Sequence, residues 1–274
     1  MLKILSWNMA HRSDSWRWLK DIDADVAILQ EASEPPADIA SCFDIDPGDW
    51  KTEGRKNRPW RSALVGLNKD VKIDRINTVP LSDSGDGDFG VSRPGTLAAA
   101  HVADPQTAER FTLVSMYAIW ESLHRSTGSS EIYADASVHR LISDISVLVG
   151  YEKGHRVIAA GDLNILYGYG EYQNRYWETR YKSIFDRFEG IGLKFLGPQS
   201  PNGRMAEPWP NELPNDSLNV PTYHTNRQTP ATATRQLDFV FGSMDIRDRV
   251  QTRALNEVDQ WGPSDHCIVK IEVA

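Results

Sequence analysis

The sequence predicts an α/β protein of the α+β kind, with packed, largely antiparallel or mixed β-sheets flanked by helices. Three observations lead there. Apolar runs of strand length outnumber amphipathic helical stretches, and the helical stretches fall between groups of strands, not after each one. No low-complexity linker or fixed-period repeat divides the 274 residues, so 1–274 reads as one domain.

From the amino end, Leu5, Trp7 and Met9 alternate with Ile4, Ser6 and Asn8, the pattern of a strand that ends on a polar residue. Ser13 or Asp14 caps a short helix through Trp16, Trp18 and Leu19. The run Asp25 to Glu31 suits a strand buried on both faces and closed by a carboxylate. Residues 35–60 are punctuated by Pro and Gly and read as loop, strands follow at 62–67 and 71–79, and Ser82 to Gly95 reads as a loop too polar to pack. Strands are expected at 96–103 and 110–120. A helix runs from Ser130 to Gly150 on the apolar stripe Val138, Leu141, Ile142 and Ile145, capped by serine and stopped by Gly150. After an apolar run ending in Gly161-Asp162-Leu163-Asn164, Trp177, Tyr181, Ile184, Phe185 and Phe188 mark a second long helix that Gly190 ends. A long Pro-, Asn- and Thr-rich segment covers 197–234. Strands at 236–242 and 266–273 close the chain, separated by a short charged helix or loop.

Composition narrows the function. Two cysteines, Cys42 and Cys267, make no disulfide framework, so a reducing, cytoplasmic compartment is expected. No signal-like amino terminus and no membrane-length apolar run is present, and a monomer without membrane contact is the expectation. A net charge of −8 argues against a sequence-independent coat for nucleic acid and suits a protein that gathers carboxylates around a divalent cation.

Polar residues end or open six strand-like runs: Asn8, Glu31, Tyr117, the Asp162/Asn164 pair, Asp238 and Asp265-His266. A carboxylate on an apolar strand is costly unless it is paired, hydrogen-bonded or bound to metal. Each case alone also fits an ordinary turn or solvated strand end; six together point to a site. In an extended strand Asp162 and Asn164 share a face, with Leu163 turned into the core, and Gly161 leaves room for a close approach.

Ser6-Trp7-Asn8, Leu29-Gln30-Glu31, Gly161-Asp162-Leu163-Asn164, Gln236 to Phe241 and Ser264-Asp265-His266 resemble, in order, the motifs of the endonuclease/exonuclease/phosphatase superfamily. The resemblance implies a four-layer αββα sandwich of two packed mixed sheets. It places Glu31 and Asn8 at the end that binds Mg²⁺ or Mn²⁺, with Asp265 near enough to share or bridge a second ion. It implies that Asp162 orients or deprotonates the attacking water, that Asn164 donates to phosphoryl oxygens, and that His266, held by Asp238, contacts the scissile phosphate. Tyr117 is similar to the tyrosine of the abasic-site endonuclease branch, where the pancreatic-type DNase branch has histidine. The residues depart from the pattern after Asn8 (Met9-Ala10-His11-Arg12) and after Glu31 (Ala32-Ser33-Glu34-Pro35-Pro36), and Arg235-Gln236-Leu237-Asp238 stands where inositol polyphosphate 5-phosphatases carry W-C-D-R. The donor set is hard oxygen, with no Cys/His cluster of zinc spacing.

The reaction expected is metal-dependent phosphodiester hydrolysis, with nucleic acid as the substrate. Phosphomonoesterase or lipid or sugar phosphodiesterase action is the rival within the class, and an inactive binding module the rival outside it. Lys51, Arg55, Lys56, Arg58 and Arg61 against the single acid Glu53, interleaved with Trp50 and Trp60, suggest phosphate contact and base stacking, with Arg58, Arg61 and Trp60 as substrate contacts. The same letters also fit a solvated face.

Overall fold

The computed structural model describes residues 1–52, 58–123, 125–128, 132–149 and 155–274. Glu53, Arg55 and Lys56 of the basic segment, and the Ser130 and Gly150 helix bounds, lie outside the described residues.

Chain order runs β1 (Leu2–Asn8), α1 (Ser13–Trp18), β2 (Val26–Ser33), α2 (Ala37–Ala40), β3 (Trp60–Gly66), β4 (Lys72–Ile76), β5 (Leu97–Ala103), β6 (Arg110–Tyr117), α3 (Ala134–Ile145), β7 (Val157–Asp162), α4 (Arg175–Gly190), β8 (Leu193–Gly197), β9 (Asp238–Ser243), β10 (Val250–Leu255) and β11 (Ile268–Val273), with short accessory strands and turns in the loops. A five-stranded sheet has the order β10-β11-β1-β2-β3, and a six-stranded sheet the order β8-β9-β7-β6-β5-β4.

Each sheet is mixed in the same way. β1 pairs parallel with β2 and antiparallel with β11; β7 pairs parallel with β6 and antiparallel with β9. A parallel pair needs a crossover, which α1 supplies between β1 and β2 and α3 between β6 and β7. The carboxyl ends of four central strands therefore come to one edge of the sandwich, together with the amino ends of β9 and β11. That edge carries the site.

Alternation along β1 explains the layering. Leu2 and Ile4 join Val26, Ile28 and Leu64 between the sheets, against Ala98, Ala100, Val102, Leu113, Ile158, Ala160 and Val240. Leu5, Trp7 and Met9 face outward and bury Trp16 and Leu19 of the α1 region and Ile39 of α2. On the other side Val138, Leu141, Ile142 and Ile145 of α3 and Tyr181, Ile184 and Phe188 of α4 cover Val114, Met116, Ala159, Phe239 and Phe241. The result is a helix–sheet–sheet–helix stack, the four layers the resemblance implies. Toward the site edge the interior turns polar: the Gln30 amide donates to Ser115 Oγ at 3.1 Å, and Ser115 Oγ donates to the Leu29 carbonyl at 2.7 Å.

Several local expectations change. β10 occupies the stretch read as a charged helix or loop; it buries only Thr252 and Ala254 and turns Gln251 and Arg253 outward, as an edge strand does. The 82–95 loop packs after all. It buries Phe89 and Val91 against the α3 layer, and Ser92 is clasped by Asp144 through its N–H (2.9 Å) and hydroxyl (2.5 Å). Arg12 stands at the α1 N-cap and Tyr133 at that of α3, neither with a side-chain cap bond. Asn174 does cap α4, accepting from Tyr176 N–H. The close approach at Gly161 is made by β6, not by a ligand: a Cβ there would lie 1.9 Å from the Met116 carbonyl oxygen.

Candidate active site

Strand ends alone would leave the polar groups too far apart; local backbone departures bring them together. In β2 the register with β3 slips between Leu29 and Ala32, and Glu31 within that bulge adopts a left-handed φ of 46°. Asn164, just past β7, has φ 50°, which ends the strand at Asp162 and folds the amide back. A left-handed non-glycine residue costs about 1–2 kcal/mol, a strain that persists where the surroundings enforce it and that clusters at functional sites.

Asp162 sits at the centre. Its Oδ2 accepts from Asn8 Nδ2 at 2.9 Å, across the two sheets, and from Asn164 Nδ2 at 3.1 Å; its Oδ1 accepts the Asn164 N–H at 2.9 Å. Asn8 Nδ2 also reaches Glu31 Oε1 at 3.1 Å. Asp238, opposite Asp162 in the β7–β9 register, accepts from His266 Nδ1 at 2.9 Å, and His266 Nε2 lies 3.8 Å from Asp162 Oδ2. His266 is fixed from behind: its carbonyl accepts from Trp7 Nε1, and its N–H donates to Ser264 Oγ, which in turn donates to the Asn8 carbonyl. Burial would lower the His266 pKa, but the Asp238 and Asp162 charges and the Asp238 hydrogen bond outweigh it and raise the imidazole to about 10. Burial, with Asp238 and Glu31 nearby, pushes the Asp162 carboxyl up against the opposing pull of His266. Glu31 is held low despite its burial, by hydrogen bonds from His11 and Asn8.

These groups open onto a cavity of about 250 Å³ lined by His11, Glu31, Tyr117, Asp162, Asn164, Asp265 and His266, with Trp120, Tyr223 and Arg235 among its walls. Every expected catalytic or metal residue faces it or touches one that does. Asn164 sits differently from the expectation: its Nδ2 is committed to the Ala118 carbonyl (2.9 Å) and to Asp162, so it donates to a phosphoryl oxygen only by releasing one of them. Trp60 packs against two residues that line the cavity, His11 and Tyr117, and Arg58 lies over Trp60. Trp60 meets Tyr117 edge-on at 5.0 Å, and the Arg58 guanidinium lies 4.9 Å above Trp60. Arg61 is not brought to the site. It is nearly buried, paired with Asp46 at 3.0 Å and laid over Trp50, which packs in the outer core.

Several contributors escaped the sequence reading. His11 bonds Glu31 at 2.9 Å and stacks on Trp60 at 5.5 Å, placed by consecutive left-handed residues, Ala10 and His11. Its only sequence signal is its place after Asn8. Thr222, fully buried, accepts the Leu237 and Asp238 N–H groups on one hydroxyl and so sets the start of β9. Arg235 forms a two-bond pair with Glu171, 3.1 and 2.8 Å. These partners lie far apart in sequence, where no local pattern connects them.

The donors fit a hard cation. Glu31, Asp162, Asp238 and Asp265 converge beside His266 and His11, while Arg235 in the wall is already paired with Glu171, so among the described residues negative charge is in excess and a divalent ion would offset it. Glu31 and Asp265 both line the cavity, so their carboxylates could hold the ion there. Asn8 turns its Nδ2 to the carboxylates and its Oδ1 to the Ala10 N–H, so it could hold an ion through oxygen only once its amide rotates. Asp162, Asp238 and His266 also place donor atoms within 4.8 Å of one another, with two of them already joined by the His266–Asp238 bond.

The sequence model of the Endonuclease/Exonuclease/phosphatase family matches residues 5–266, nearly the whole chain. The chain belongs to that family. It is a phosphoric ester hydrolase of the metal-dependent kind. The fold is similar to the catalytic domain of APE2 from Xenopus laevis (TM-score 0.65, 16% identity, 99% of this chain and 91% of that one). It is also similar to the 3′ phosphatase NExo from Neisseria, bound to a product DNA hairpin (0.59, 15%, 100% of both chains). A third is a mannosyl-6-phosphatase from Bacteroides thetaiotaomicron (0.57, 18%, 100% of both). At these identities the likeness is one of fold. No curated protein sequence matches the chain. Among the described residues of this family member, no helix is long and apolar enough to cross a membrane.

Proposed function

We propose that this family member is a Mg²⁺- or Mn²⁺-dependent phosphodiesterase that hydrolyses nucleic acid. The observation that carries the reading is the opposed pair on one floor: Asp162, oriented by Asn8 and Asn164, beside an imidazole that Asp238 keeps protonated. Divergent environments for neighbouring titratable groups assign the base and the acid. Glu31 and Asp265, with Asn8, would hold a divalent ion, which would supply positive charge to the phosphoryl oxygens. Asp162 aligns the attacking water and takes its proton as the water oxygen bonds phosphorus and the P–O bond to the leaving oxygen breaks, the departing alkoxide taking a proton from solvent. His266 donates a charged hydrogen bond through Nε2 to a non-bridging oxygen, while Asp238 on Nδ1 fixes its tautomer and orientation. Tyr117, bonded to Glu31, holds that carboxylate in place. Nucleic acid is supported by Arg58 and Trp60 beside the cavity, and an intracellular setting by two free thiols, Cys42 and Cys267.

A second reading has its own observation. The walls leave only about 250 Å³, room suited to one phosphorylated sugar. A phosphoester panel assayed with Mg²⁺ decides: cleavage of DNA or RNA supports the first reading, and brisk turnover of sugar phosphates with intact polynucleotide supports the second. Hydrolysis of none of them sinks both.

A further inference from the structure

Trp120 was not singled out by sequence, yet it is 49% exposed, lines the catalytic cavity, and packs against no other ring among the described residues. Its ring at the mouth of a polar site offers a flat apolar face on which a base can stack. Its backbone is held on both sides. The Ile119 N–H donates to the buried Ser137 hydroxyl of α3 at 2.9 Å, and Glu121 pairs with Tyr133 in a short antiparallel ladder.

Beside it runs a line of guanidinium groups. Glu121, only 15% exposed, bonds Arg93 at 3.3 Å and Arg140 at 3.2 Å, and both arginines keep nearly half their side-chain surface in solvent. Arg58 extends the line: its Nη2 donates to the Pro94 carbonyl, next to Arg93, at 3.2 Å, and it lies close enough to feel that charge. Arg58 Nη1 is buried with no partner among the described residues. Arg93 and Arg140 thus share the carboxylate Glu121, and Arg58 beside them feels the Glu31 carboxylate of the cavity, on a chain of net charge −8. Glu121 fixes its two arginines in place without neutralising both.

We propose that this rim binds single-stranded nucleic acid, with an unpaired base stacked on Trp120 and backbone phosphates on Arg93, Arg140 and Arg58. This rests on the phosphodiesterase reading of the adjoining floor and names the form of its substrate. An aromatic face takes any base, but only one released from its pair, while the guanidinium line supplies contacts that follow a backbone. A duplex would keep its bases stacked on one another and leave Trp120 unused.

The test reads binding apart from turnover. Asp162→Asn protein in Mg²⁺ is titrated into labelled oligothymidylate, about eight nucleotides long, and followed by anisotropy. Trp120→Ala added to that protein weakens binding about tenfold, and Trp120→Phe restores most of it. Arg93→Gln with Arg140→Gln lowers the slope of log K against log salt by about 0.7 for each phosphate no longer neutralised. A duplex of equal length binds more weakly than the strand. Unchanged affinity in Trp120→Ala, or a duplex bound as tightly as the strand, overturns the rim. Wild-type protein that hydrolyses a small diester yet binds no oligonucleotide overturns the rim and leaves the phosphodiesterase reading standing. Oligonucleotide binding with no hydrolysis of any phosphoester overturns that reading and leaves the rim.

Discussion

The floor of the cavity and its rim are built from opposite materials. On the floor, Asn8, Asp162, Asp238 and His266 are each no more than 4% exposed, and every one is hydrogen-bonded to another floor residue. On the rim, Trp120, Arg93 and Arg140 are about half in solvent, the two arginines anchored through their guanidinium groups on Glu121. Acid–base chemistry needs fixed dipoles in a low-dielectric setting, where a neighbouring charge can move a pKa by several units. Gripping a polymer needs reachable cations and flat apolar faces. Arg58 and Arg61, three residues apart, fall on the two sides of another divide: one lies over Trp60 beside the site, while the other is consumed by Asp46 and Trp50.

Substitutions at the floor are expected to have the largest effects. Asp162→Asn removes the proposed base while keeping shape and most hydrogen bonds, so kcat should fall by about 10³-fold with the thermal midpoint nearly unchanged. A loss under tenfold would remove Asp162 from that role. Glu31→Gln should cut the rate about 10²-fold at fixed Mg²⁺ and weaken the metal dependence, checked by rate against ion concentration after EDTA treatment. Undiminished activity with the metal stripped away ends the metal assignment.

Asp238→Asn should act through pH. The folded imidazole is raised to about 10 from an ordinary 6.5, so the charged His266 contributes stability that is fully present below about pH 6.5 and lost as pH rises through about 10. Asp238→Asn removes the partner bonded to Nδ1 and should drop the folded pKa toward 6.5, bringing the alkaline limb of the rate profile down with it. NMR titration of the His266 ring in the metal-free protein measures this, and an unmoved pKa contradicts the pairing.

The smallest effects should separate the two arginines. Arg58→Ala is expected to lower polynucleotide cleavage about tenfold with little change in stability. Arg61→Ala should leave kcat/KM within about twofold and cost about 2 kcal/mol of stability, since it leaves the partly buried Asp46 unpaired and uncovers Trp50. Urea denaturation beside the oligonucleotide assay resolves them. If Arg61→Ala loses cleavage at unchanged stability, Arg61 belongs to the site and not to the scaffold.

Sequence by itself determined the floor, because a carboxylate or amide closing an apolar strand is legible wherever burial makes it costly. Asn8, Glu31, Asp162, Asp238 and His266 each stand at such a boundary, and the motifs around them carried the four-layer fold. The long amphipathic helix α4 and its stop at Gly190 were equally local and equally readable. Tertiary structure alone decided the rest. The left-handed bulge at Glu31 arises from the β2–β3 register, Gly161 answers to the neighbouring Met116 carbonyl, and edge strand β10 shows only a half-buried pattern that reads locally as polar. Trp120 and Arg93 come from loops and Arg140 from a helix, and Glu121 draws the two arginines together. Local periodicity records which face of a segment is buried; it does not record what another segment, a hundred residues away, lays against it.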